Sequence, residues 1–93
     1  MRGLPSREQV QHYRELYPEG TLIQLDHMDD PYPVPAGTVG EAVAVDDGGN
    51  VQVRWQNGRT LAVIPKADQF HVVEEGQKEE RFHQILLFFL SLL

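Results

Sequence analysis

The stretch HMDDPYPVPAGTVG, residues 27–40, sets Asp29 and Asp30 side by side and follows them with Tyr32 among Pro31, Pro33 and Pro35. Adjacent carboxylates serve three kinds of chemistry: acid–base catalysis, cation ligation, or pairing with a basic surface. Catalysis needs a cleft that desolvates one carboxyl and splits the pair's pKa values, and a chain of 93 residues rarely encloses one. Cation ligation would draw on Asp26, Asp29, Asp30 and either Asp46 or Asp47, but their spacing is not that of an EF-hand loop. His12, His27, His71 and His83 are scattered, and cysteine is absent. No zinc site, disulfide or thiolate nucleophile is therefore expected. The two serines, Ser6 and Ser91, sit in no nucleophile motif, and there is no Gly-rich phosphate loop. These residues point to no enzyme, no cofactor and no metal.

Recognition is what remains. Glu15, Glu19, Asp26, Asp29, Asp30, Glu41, Asp46 and Asp47 follow one another with no Lys or Arg between Arg14 and Arg54, in a chain of net charge −6. Phosphate backbones are bound by Lys and Arg that displace counterions, so direct nucleic-acid binding through this half is disfavoured. A basic protein surface suits it better. Acidic residues beside aromatic ones read basic or proline-rich peptides, which makes Asp29, Asp30, Tyr32 and Trp55 the candidate partner-binding residues. Each has a bland alternative. The acids keep a surface solvated, or Asp29 or Asp30 caps its own loop while the prolines stiffen it, and the capping use is the commoner. Trp55 falls on core parity, so packing is its first use and a groove edge its second.

Such a loop needs a frame. Ser6 with Gln9 reads as a capping box, and Val10, Tyr13, Leu16 and Tyr17 recur at helical spacing until Pro18 and Gly20, predicting a helix over 7–16. Residues 21–25 and 38–46 read as strands, the second with Val39, Val43 and Val45 on one parity. In 51–55, Val51, Val53 and Trp55 share a face, and Asn57-Gly58 predicts a two-residue type I′ hairpin. That register pairs Trp55 with Thr60, Val53 with Ala62 and Val51 with Ile64, leaving Leu61 and Val63 off the core. Pro65 breaks the ladder, a single turn follows, and residues 70–73 form a last strand. This order predicts a mainly β fold: a small five-stranded SH3-like barrel with an N-terminal α-helix. The partition is 1–20 for the helix, 21–74 for the barrel, and 75–93 for a charged linker and an apolar C-terminal helix. Phe82, Ile85, Leu86, Phe89 and Leu93 on one stripe, with Leu87, Phe88, Leu90 and Leu92 opposite, suggest a homodimer through 82–93. The apolar run 85–93 is too short to span a bilayer, and with no signal-like N-terminal run a cytoplasmic location is expected.

The motifs also carry a resemblance. Tyr17-Pro18, Gly20-Thr21, Met28 to Tyr32, Pro35, Gly37-Thr38, Gly40, Val45 to Asp47, Gly49, Trp55, Asn57-Gly58 and Asp68 resemble the small bacterial, phage and mobile-element proteins grouped as domain of unknown function 4314. The resemblance covers about the middle 55 residues; Gly48 and the tail QILLFFLSLL depart from it. It implies a phage or mobile-element setting and no activity. Three functions are expected in order: an interaction module binding a basic protein through its acidic first loop, a counter-defence inhibitor mimicking nucleic acid, and a nucleic-acid-binding barrel using Arg54, Arg59 and Lys66.

Overall fold

Ser6 opens the first element as the sequence predicts. In the computed structural model, which describes residues 4–73, its hydroxyl accepts from the Gln9 N–H while the Gln9 side chain accepts from the Ser6 N–H. The helix that follows, α1, runs Arg7–Leu16. Val10 is its one fully buried residue, and Tyr13 and Tyr17 pack against the core beside it. The Tyr17 ring lies 5.4 Å from Phe70, and its phenol pKa is pushed up by burial and by the neighbouring Tyr13.

Four strands build one antiparallel sheet: β1 (Leu22–His27), β2 (Val39–Val45), β3 (Val51–Trp55) and β4 (Gln69–Val72), in the order β3-β2-β1-β4. The side chains of Ile23, Leu25, Val51, Val53, Trp55 and Val63 fill the main core, and a smaller cluster gathers Leu22, Val39 and Val73. Strict alternation in β2 fails at a bulge between Ala42 and Ala44. Ala42 turns inward there and Val43 outward, so the predicted Val39-Val43-Val45 face does not form. Gly40 is required by close approach: a Cβ there would sit 2.5 Å from Val53 and 2.7 Å from the Trp55 ring.

The hairpin after β3 differs from its predicted register by one residue. Thr60 bridges to Arg54, not Trp55, and Val63 to Val51. Gly58 donates to the Trp55 carbonyl at 2.9 Å, and Trp55 donates to the Arg59 carbonyl at 2.8 Å. Gly58 takes φ +93°, whereas no described non-glycine residue, Asn57 included, has positive φ. A type I′ turn needs positive φ at both positions; the chain instead makes a turn followed by a glycine bulge. The extra residue flips every side chain beyond it. Val63 is 0% exposed, and Ile64 stands 45% exposed where a core residue was expected.

The expected five-stranded barrel is also corrected. Among the described residues the sheet has four strands and stays open, because Thr60 and Val63 join β3 only as isolated bridges. The ladder stops at Val63 for a local reason. Pro65 has no N–H, the Ile64 N–H donates to Asp68, and the Ile64 carbonyl accepts from Ala67 and Asp68. That backbone is committed to the turn, so the hydrogen bonds that residues 59–63 make with β3 do not extend beyond Val63. The expected apolar C-terminal helix and the dimer through 82–93 lie outside the described residues. Among the described residues no helix is long and apolar enough to cross a membrane.

Candidate binding loop

The segment between β1 and β2 is built on a stitched base. Leu25 donates to the Thr38 carbonyl at 2.9 Å, Gly37 donates to the Leu25 carbonyl at 2.7 Å, and the Gln24 amide donates to the Gly37 carbonyl at 3.0 Å. Two apolar side chains within it, Met28 and Val34, are buried in the main core. They hold the loop down at both ends. The residues between them stand out from the surface.

Asp68 supplies the third fastening. It is the one buried charged residue described, at 7% exposure, and its two oxygens accept from two separate backbones. Oδ1 takes the Asp29 N–H and Oδ2 the Ile64 N–H, both at 2.8 Å. One carboxylate thus ties the start of the loop to the turn before β4. In the sequence Asp68 stands out only as the last residue of the family pattern. Nothing in its neighbours marks it as buried.

The predicted site residues separate into two groups. Asp29 is exposed, and Tyr32 is 79% exposed on the loop. Asp30 lies beside them with Oδ1 accepting from the Tyr32 N–H at 2.8 Å, the self-capping use that sequence reasoning held as the alternative. Trp55 does not join them. It is 0% exposed, with its indole N–H donating to the Leu61 carbonyl at 2.9 Å, so it offers no surface to a partner. Its core parity wins because the ring is the largest fully buried side chain and its one polar atom is satisfied.

The other acids are also placed. Asp26 Oδ2 lies 2.9 Å from His71 Nδ1 across β1 and β4. Asp46 organises the β2–β3 turn, accepting from the Gly48 and Asn50 N–H groups and from the Asn50 and Gln52 amides. These bonds, that from the Asn50 backbone foremost, hold its pKa below the ordinary carboxylate value against a smaller upward push from burial. Among the described residues no three His, Asp or Glu side chains converge as a cation site. Of the three basic residues considered for nucleic acid, Arg54 pairs with Glu41 at 3.2 Å on the sheet, Arg59 follows the hairpin turn, and Lys66 is in the 64–68 turn.

No curated protein and no solved structure matches this chain. A family model does match, over residues 6–73, from the Ser6 cap to the buried Val73 just past β4. By that match the chain belongs to the family described as Domain of unknown function (DUF4314).

Proposed function

We propose that the domain is a non-enzymatic interaction module, in the phage or mobile-element setting its motifs imply, whose first loop engages a basic protein surface through Asp29 and Tyr32. One observation carries the reading. A loop fastened at Met28, Val34 and Asp68 nonetheless holds an aromatic ring 79% out in solvent beside an exposed carboxylate. A solvated loop has no need of three internal anchors. A binding loop gains from them, because a preformed surface loses less conformational entropy on association. Aromatic residues are enriched among interface anchors, and an acidic neighbour selects basic partners.

The test is titration of lysine- and arginine-rich peptides into the protein and into an Asp29→Asn/Tyr32→Ala variant, each at rising salt. Asp30 is left alone because it holds the loop. The expected result is saturable binding that weakens as screening grows and falls by about tenfold or more in the variant. Unchanged affinity in the variant would show that the loop is structural only.

A further inference from the structure

Beside α1 lies a second feature that the loop does not use. A cavity of about 600 Å³ opens between the helix and the β2–β3 turn, lined by Pro5, Arg7, Val10, Gln11, Arg14 and Asp47. Arg7, Gln11 and Arg14 fall at helix spacings of four and three, so two guanidinium groups and an amide share one wall. In a chain of net charge −6, two of the eight basic residues are gathered in this cleft. Arg14 is pinned there: its Nε donates to the Val45 carbonyl at 3.2 Å and its Nη2 to Asp47 Oδ1 at 2.9 Å. A guanidinium has five N–H donors, so this one still has others to offer.

We propose that this cleft binds an oxyanion, a phosphate or a carboxylate carried on a larger ligand, through Arg7 and Arg14. Asp47 is the internal stand-in. Its carboxylate already sits against Arg14 although its side chain is wholly exposed, which is how an incoming carboxylate or phosphate would sit. Fixing Arg14 through the Val45 carbonyl orients the guanidinium before any ligand arrives. The cavity falls in the range of small-molecule sites, roughly 300 to 1,000 Å³, and is far larger than a bare ion needs. The apolar walls from Pro5 and Val10 suit the body of such a ligand.

The test follows the side-chain N–H signals of the full chain, those of Arg7, Gln11 and Arg14 included, by NMR at constant ionic strength, with inorganic phosphate, phosphoserine and acetate as separate probes. Saturable shifts confined to Arg7, Gln11 and Arg14 are expected, with phosphoserine tighter than inorganic phosphate. The ranking of phosphate against acetate identifies which oxyanion the cleft prefers. Arg7→Ala, a change at an exposed position outside the capping box, is expected to weaken binding about tenfold with the thermal midpoint kept. Asp47→Asn removes the competitor and is expected to tighten binding about threefold. Shifts that do not saturate, phosphoserine no tighter than phosphate, or full affinity in Arg7→Ala would each overturn the proposal. So would unchanged or weaker binding in Asp47→Asn.

Discussion

Replacing Asp68 isolates the fastening of the loop. In the wild-type protein its two oxygens satisfy the Asp29 and Ile64 N–H groups at 2.8 Å each. Asp68→Ala removes both acceptors and leaves two backbone donors in a part-buried site, at about 1 to 3 kcal/mol each, so roughly 2 to 6 kcal/mol in all. Asp68→Asn keeps the shape and one acceptor but turns an NH₂ group toward the other N–H, for about half that loss. Against a total stability of about 5 to 15 kcal/mol, the alanine variant loses a large share of it, and the whole of it at the lower end, while the asparagine variant stays measurable. For a domain this small each kcal/mol moves the midpoint by about 4 to 8 °C, so a loss of about 1 to 3 kcal/mol in Asp68→Asn is expected to lower melting by roughly 4 to 24 °C. Chemical denaturation gives the free energies. Amide exchange adds the local readout, because Asp29 and Ile64 should lose protection beyond what global destabilisation accounts for. If both variants stay within about 0.5 kcal/mol of the parent, the carboxylate is not the fastening described and the reasoning from its geometry fails.

The hairpin register makes Val63→Ala cost about 2 kcal/mol in urea unfolding while Ile64→Ala costs under about 1; the reverse ranking would restore the two-residue turn. Gly40→Ala drives a methyl into Val53 and Trp55 and is expected to cost at least about 1 to 3 kcal/mol, seen as a lowered midpoint with altered tryptophan fluorescence. Ser6→Ala removes the cap of α1 for about 1 kcal/mol, read by circular dichroism melting. For Asp46 the folded pKa lies below the unfolded one, so its contribution is complete above about pH 4 and is lost as pH falls through the lowered value. The stability gap between the protein and Asp46→Ala should therefore be flat near neutrality and narrow on acidification, and a gap that stays constant down to about pH 2 would contradict the bonding at that turn.

Local signals are legible where local chemistry decides. The helix at Arg7–Leu16 was legible because its capping box and stop residues are all within its own span. The hairpin's place is legible but its register is not. Asn57-Gly58 is compatible with two turns, and the choice between them falls to the burial of Val63 against β3, a fact of packing. The closed barrel failed for the same kind of reason, since Asp68 takes the Ile64 N–H that a longer ladder would have used. In the candidate site, composition and turn chemistry single out Asp29 and Tyr32, and both side chains stand exposed on the loop. Asp68, which holds them in place, is not singled out in this way. It contacts Asp29 across 39 positions, and no pattern within a short window reports such a contact.

The helix rests on the sheet by little: one buried valine, two half-buried tyrosines and the pinned Arg14. The strands hold one another by whole ladders of backbone bonds. Breaking the first set takes less free energy than melting the second, so α1 is expected to detach before the strands separate. Among the described residues, a protease supplied in native buffer is then expected to cut near Pro18–Gly20, between the helix and β1, ahead of the strands.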